Sequence, residues 1–482
     1  MKTKPMEHQK IGVARLNACP DQFALGAEQG TGKTWMILAE MEQRWKSGEL
    51  EALLVVAPKG VHVNWVTREI PKHLSIPCTA EAWVSGASQK KMRKLDGLMN
   101  ASDSGLIMLG INIDAINTKK GFDFAEAFLT KYKSMMVIDE SQRIKNPKAK
   151  RTKKAIALGG KAHSRRILSG TLVANSPLDL FSQYAFLQNG LLGTTSFRAF
   201  VAEFAELLPE NSAMVQEIRA KSRYGIAPQI VKRTKDGRPM FKNLEKLRDM
   251  MKPWTYRVLK KDCLDLPEKI YKTFDFNLSP AHMRHYHLVK EQQRWVRADG
   301  EIDIFTALTV INKLQQITSG FILEDGMPTQ MTEGKPRLDL LKEVLEDTEG
   351  QVIIWARFRE EIASLVRELS PDYTYVQYHG GVKDKDRETA VDLFQSGEAR
   401  LFIGNAAAAG TGLTLHAAET AIYYSSSYSL EERLQSEDRC HRIGTKNPVV
   451  YIDLVASGTI DERIAATLQA KQEVAASILD GL

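Results

Sequence analysis

Short apolar runs alternate with longer amphipathic stretches through the first 180 residues of the chain. Phe23-Ala24-Leu25, Leu53-Leu54-Val55-Val56-Ala57, Leu106-Ile107-Met108-Leu109 and Met135-Met136-Val137-Ile138 lack polar alternation, the pattern of strands covered on both faces. Between them lie helical stretches such as Trp35-Met36-Ile37-Leu38-Ala39-Glu40-Met41. That alternation predicts a parallel sheet with crossover helices. From about 181 to 265 the strand signal disappears: Phe181, Tyr184, Phe197, Phe200 and Phe204 recur at helical spacing, and a basic helix runs toward Trp254. A strand returns at 270–276 and helices occupy roughly 280 to 320. A second α/β series then runs through 352–355, 374–378, 400–403, 420–424 and 449–452. The expected fold class is α/β: two parallel-sheet lobes with helical insertions between and within them. The expected segments are an N-terminal lobe (1–180), a helical insertion with a basic bridge (181–265), and a C-terminal lobe (266–482) with a helical protrusion at about 280–320.

The predicted strand at 23–25 leads into Ala27-Glu28-Gln29-Gly30-Thr31-Gly32-Lys33-Thr34 and then into the helix at 35. Strand, glycine-bearing loop and helix in that order make a phosphate-binding loop. Gly30 and Gly32 let backbone approach phosphates, Thr31 lies between them, and a helix N-terminus favours negative charge. Lys33 would neutralise the β and γ phosphates of ATP, and the Thr34 hydroxyl would ligate the accompanying magnesium. The strict pattern has glycine at position 27, where this chain has alanine. About a hundred residues on, the run 135–138 delivers Asp139 and Glu140 to a strand end. The first carboxylate suits magnesium and the second suits a base that orients attacking water.

Composition narrows the class. With 482 residues, 43% hydrophobic and 26% charged, the chain can bury two or three cores. No apolar run approaches the roughly 18 residues of a membrane span, and the first residues lack the apolar core of a signal peptide. A cytoplasmic protein, or a nuclear one if eukaryotic, without membrane partners is expected. Cys19, Cys78, Cys263 and Cys440 are far apart and lack metal-ligand spacing, so they read as reduced packing residues. The net charge of +7 is mild but concentrated. Seven basic residues and no acidic one lie between Arg143 and Lys154, and sixteen basic against six acidic lie between Arg219 and Lys272. Such runs beside a nucleotide site suit a polyanion track.

The second lobe carries no phosphate loop but contains Gln435-Ser436-Glu437-Asp438-Arg439-Cys440-His441-Arg442-Ile443-Gly444. Arg439 and Arg442, three apart on one expected helix face, would stabilise charge during phosphoryl transfer. Gly410-Thr411-Gly412-Leu413-Thr414-Leu415 offers flexible backbone and hydroxyls near the same sheet edge.

These motifs, in this order, resemble the Swi/Snf family of helicase superfamily two. Glu7-His8-Gln9 is similar to the adenine-reading segment, and Ala57-Pro58-Lys59 through Asn64-Trp65 and Glu69 to a segment that touches DNA. Asp139-Glu140-Ser141-Gln142-Arg143-Ile144-Lys145-Asn146 resembles the family's carboxylate box, with Ser141-Gln142 where Ala-His is common. Leu168-Ser169-Gly170-Thr171-Leu172 and 175–181 resemble the motif that couples hydrolysis to DNA. Residues 251–269 resemble the basic bridge, with Tyr256-Arg257 where two arginines are usual. Tyr378-His379-Gly380-Gly381 with Arg387 resembles a second-lobe DNA segment.

The resemblance implies two RecA-like lobes and a DNA-dependent ATPase that moves along double-stranded DNA without strong sequence preference. Gln9, Gly30, Thr31, Gly32, Lys33, Thr34 and Gly412 would bind the nucleotide, and Thr34 and Asp139 the magnesium. Lys33, Asp139, Glu140, Arg439 and Arg442 would be catalytic. Lys59, Asn64, Lys145, Asn146, Thr171, His379, Thr411 and Thr414 would line the DNA track. The reading adds a monomeric bare motor of bacterial or phage type. The alternatives are a strand-separating helicase or RNA motor on the same lobes, and a nucleotide-gated scaffold that has lost hydrolysis.

Overall fold

Seven strands form the first sheet: β1 (Gln22–Ala27), β2 (Ala52–Ala57), β3 (Cys78–Ala82), β4 (Leu106–Asn112), β5 (Ser134–Asp139), β6 (Ser164–Leu168) and β7 (Thr255–Val258). They are hydrogen-bonded in the order β3-β4-β2-β5-β6-β1-β7, every pair parallel. The computed structural model describes residues 1–84, 86, 89–101, 105–221, 228–234, 237–292, 294–296, 302–304, 307–331, 334–408, 413–480 and 482.

Strand side chains alternate between faces, and both faces are covered. Leu53, Val55, Met108, Met135 and Val137 pack with Met36, Ile37 and Met41 of the helix after the phosphate loop. Leu54, Val56, Leu109, Met136 and Ile138 pack on the other side with Phe128, Tyr184 and Phe186. Each large apolar side chain withdrawn from water in this way contributes roughly 1.5–3 kcal/mol.

The second sheet contains β8 (Lys269–Phe276), β13 (Val352–Trp355), β14 (Tyr375–Tyr378), β15 (Leu401–Gly404), β16 (Thr420–Tyr423) and β17 (Val449–Ala456). Its order is β14-β15-β13-β16-β17-β8, again all parallel. Two small antiparallel pairs stand apart from it: β9 (Arg294–Val296) with β10 (Ile302–Ile304), and β11 (Phe321–Glu324) with β12 (Met327–Gln330). The first interrupts the stretch expected to be helical at about 280–320. Both expected parallel-sheet lobes are thus present.

The chain divides into two compact units, Met1–Leu264 with Lys471–Leu482, and Asp265–Ala470. The last twelve residues, assigned to the C-terminal lobe from sequence, therefore group with the first unit. Ile478 and Leu479 are buried in its core, Arg257 Nη1 donates to Asp480 Oδ1 at 2.6 Å, and Lys471 Nζ donates to Asn175 Oδ1 at 2.9 Å.

The insertion is helical at Leu180–Leu187, Phe197–Phe204, Ala213–Lys221 and Leu244–Met251. It is not free of strand, as the sequence had suggested. β7 pairs along β1 with Tyr256 opposite Leu25, and bridges join Ala205 to Phe241, Leu207 to Val231 and Arg233 to Pro239. Four residues with an arginine and a tyrosine among them give too little periodicity to mark an edge strand.

Candidate functional site

In a parallel sheet the C-terminal strand ends, where the chain leaves for its crossover helices, gather the groups that bind ligands. Strands β5, β6 and β1 are neighbours, so their ends bring together Asp139-Glu140, Ser169-Gly170-Thr171 and the loop Glu28–Gly32. No two of these segments are close in sequence.

The loop after β1 passes into a helix of residues Lys33–Lys46, which starts directly at the lysine. Gly30 and Gly32 adopt φ of 87° and 89°, a left-handed conformation that disfavours larger residues. A Cβ at Gly32 would come within 2.2 Å of Gln9 Nε2. Gln9 in turn donates to Thr31 O at 3.2 Å, and His8 Nε2 lies 2.8 Å from the same carbonyl. The segment expected to read adenine therefore also braces the loop backbone. Lys33 Nζ donates to Ala27 O at 2.7 Å, Thr31 Oγ1 to Glu28 O at 2.7 Å, and Thr34 is half-buried. Lys260 N donates to Glu28 Oε2 at 2.6 Å, which ties the loop to the segment after β7.

Asp139 and Glu140 are both buried, and Glu140 has φ of 55°. A glutamate in the left-handed region stores backbone strain, and such outliers concentrate at functional sites. Trp65 Nε1 donates to Asp139 Oδ2 at 2.9 Å, and the Glu140 amide donates to Asp139 Oδ1 at 3.0 Å. Burial, then repulsion from Glu140, push the Asp139 carboxyl up to about 6, against the opposing pull of the Trp65 hydrogen bond and the Lys33 charge. A divalent cation would relieve that concentration of negative charge. Among the described residues no group of three or more His, Cys, Asp or Glu is built to hold a metal.

A relay leads away from Glu140. Gln142 Nε2 donates to Glu140 Oε2 at 2.7 Å, Ser169 Oγ to Gln142 Oε1 at 2.8 Å, and Thr171 N to Ser169 Oγ at 2.9 Å. Ser141 Oγ donates to Gln183 Oε1 at 2.7 Å, while Gln183 Nε2 donates to Leu172 O at 2.8 Å. From sequence, His8, Trp65, Gln142 and Ser169 were motif letters without roles, and Gln183 was missed. Buried polar side chains inside motif stretches were the available signal.

The expected DNA residues of the first unit differ in access. Lys59 and Asn146 are exposed, Asn64 and Lys145 half-buried, and Thr171 buried. Arg143, Lys148, Lys150 and Lys153 are exposed along the basic run.

In the second unit the helix Leu430–Glu437 ends before Arg439 and Arg442. They lie in the turns that follow it, not three apart on a helix face as expected. Buried Glu437 anchors that helix end: it accepts from Lys269 Nζ at 3.1 Å, Tyr271 Oη at 2.8 Å and Arg433 Nε at 2.8 Å. Both arginines nevertheless converge. Arg439 Nη1 donates to Leu413 O at 3.3 Å, and Arg442 Nη1 donates to Leu413 O and Thr414 Oγ1, each at 2.9 Å. His379 is half-buried and its imidazole pKa is lowered, by burial first and then by Arg359 and Arg387. Thr411 and Gly412 lie outside the described residues.

The profile of the SNF2-related domain matches residues 8–320, and that of the helicase conserved C-terminal domain matches residues 336–444. The chain belongs to the SNF2-related family. An uncharacterized ATP-dependent helicase of Mycoplasma genitalium is 26% identical over 486 residues, covering 97% of this chain and 41% of the relative. The mouse DNA annealing helicase and endonuclease ZRANB3 is 24% identical, covering 100% and 41%. The yeast TATA-binding protein-associated factor MOT1 is 25% identical, covering 74% and 21%. The SNF2-related chain thus spans about two fifths of the length of the first two. The SWI2/SNF2 ATPase core of Sulfolobus solfataricus in complex with dsDNA is 22% identical and covers 99% of this chain and 93% of that one, at a TM-score of 0.42. The family assignment rests on the sequence match alone.

Proposed function

We propose that this SNF2-related chain is a DNA-dependent ATPase that translocates on double-stranded DNA and remodels DNA or protein–DNA complexes. One observation carries the reading: the loop that leaves β1 and leads to Lys33, and the Asp139–Glu140 pair at the end of β5, about a hundred residues apart in sequence, follow two strands that both flank β6. Gln9 and the 30–34 loop hold ATP. Glu140, steadied by Gln142, orients the attacking water. Magnesium, when bound through Thr34 and Asp139, neutralises phosphate charge. Arg439 and Arg442 supply positive charge to the reaction. Lys59, Asn64, Lys145, Asn146, Thr171, His379, Thr411 and Thr414 serve the DNA track, in which phosphate contacts predominate and sequence preference is weak. No helix among the described residues is long and apolar enough to cross a membrane; the motor acts as a cytoplasmic monomer.

ATP turnover measured with duplex, single-stranded, forked and four-way-junction DNA tests the proposal, beside triplex displacement and strand displacement. Duplex-stimulated turnover with triplex displacement and without strand separation is the expected result. Turnover indifferent to DNA would overturn it, and efficient strand separation would move the assignment to an unwinding helicase.

A further inference from the structure

We propose that Trp65 is a positioning residue that carries DNA contact on the segment Pro58–Asn64 to the magnesium carboxylate Asp139. This rests on the DNA-dependent ATPase reading given above. The indole is 1% exposed, and its N–H reaches Asp139 Oδ2 at 2.9 Å across 74 residues of sequence. Since the other oxygen already accepts the Glu140 amide, the indole fixes which lone pairs of the carboxylate remain for a cation.

The segment ahead of Trp65 has little slack. It leaves β2 through exposed Lys59 and Gly60, then forms a helix Val61–Asn64 in which Asn64 N donates to Gly60 O at 3.0 Å. A Cβ at Gly110 of β4 would come within 2.6 Å of His62 O, so this helix lies directly on the strand. Buried His62 sits with its ring nitrogens 3.3 Å from Pro58 O and 3.0 Å from Trp83 O. Trp65 then opens a π turn, Trp65–Glu69, closed by Ile70 N donating to Trp65 O. Single π turns of this kind mark functional sites. A load on Lys59 or Asn64 is therefore passed to the indole instead of being absorbed by a loop.

Trp65→Phe keeps an aromatic ring and removes the donor. Loss of a hydrogen-bond partner behind a metal ligand costs about 10–100-fold in metal affinity or activity. The Mg2+-dependent part of the affinity for a fluorescent ADP is expected to fall about tenfold, with the affinity in EDTA and the nucleotide-free DNA affinity each within about twofold of the parent. Duplex stimulation of turnover should fall about tenfold as well. Trp65→His, which restores a ring N–H, should recover part of both losses and serves as the reading if the phenylalanine variant fails to fold. A phenylalanine variant with parental Mg2+ dependence and parental DNA stimulation would overturn the proposal. So would an equal fall in Mg2+-dependent, EDTA and DNA affinities, which would reduce Trp65 to packing. If the parent protein itself shows no DNA stimulation, the functional reading fails, and the Mg2+-dependent ADP binding of the two variants still decides whether the indole serves the metal carboxylate.

Discussion

Replacing Glu140 with glutamine should stop turnover and, near neutral pH without magnesium, make the first unit harder to unfold. Loss of a group that positions the attacking water costs about 10^2–10^4-fold in rate. The stability gain follows from the buried carboxylate pair. Asp139 is displaced from 3.8 to about 6, which at 1.36 kcal/mol per unit is roughly 3 kcal/mol of disfavour for its charged form. Burial is the larger cause and Glu140 the second, so a neutral glutamine removes the smaller of the two raising influences, a gain on the order of 1 kcal/mol. For a unit of this size that is about 2 °C in the melting midpoint.

The direction with pH follows from the raised value. Repulsion exists only while Asp139 is ionised, so the gain is present above about pH 6 and fades as pH falls through that value. The hydrogen bond from Gln142 weakens when its acceptor becomes neutral. Comparing the gain near neutral pH with that below about pH 5 separates the Asp139 contribution from this loss. Thermal unfolding of both proteins across that range, with and without Mg2+ and ADP, reads the effect, and Mg2+ should stabilise the parent more than the variant. A gain that persists unchanged in acid, or turnover within about tenfold of the parent, would refute the reasoning.

Gly32→Ala should weaken nucleotide binding and cost about 1–3 kcal/mol in stability, because its Cβ would meet Gln9 Nε2 at a φ of +89°; isothermal titration with ADP and a melting curve check both. Arg166→Met should cost about 3–5 kcal/mol. The fully buried guanidinium donates from Nε to Glu40 Oε2 at 3.1 Å and from Nη2 to Leu16 O and Pro20 O at 3.2 Å each. Glu40 also accepts from buried Arg44 Nη1 at 3.3 Å, so urea unfolding should show only part of that loss recovered when Glu40→Leu is added. Glu42 is pushed up by burial, but Lys46, the N-terminal ammonium and Ser75 outweigh this and hold it at about 2. Its contribution, about 1–2 kcal/mol after allowing for the exposed Lys46 partner, should be present above about pH 4.5 and lost as pH falls toward 2. Glu42→Gln should flatten that part of an acid-unfolding curve.

What the sequence disclosed was local. A strand feeding glycines, lysine and threonine into a helix, and an apolar run ending in two carboxylates, are complete within about ten residues each. The contacts that give those groups their geometry are not: Trp65 meets Asp139 and Ser169 meets Gln142 only because β2, β5 and β6 are neighbours in the sheet. β7 was hidden because its partner strand β1 lies more than 200 residues earlier. The stretch around Arg439 reads as a continuing helix on composition. Three donors from β8 and the helix itself converge on Glu437, and Leu415 N donates to Arg439 O at 2.9 Å, so tertiary contacts end the helix where propensity would extend it.

The burial of Ile478 and Leu479 against the first unit bears on how the molecule may be cut. A fragment stopping at Leu264 would present a naked oily trough to water and invite clumping. Supplying 471–482 as a separate synthetic peptide, or splicing it on through a short linker, should restore solubility.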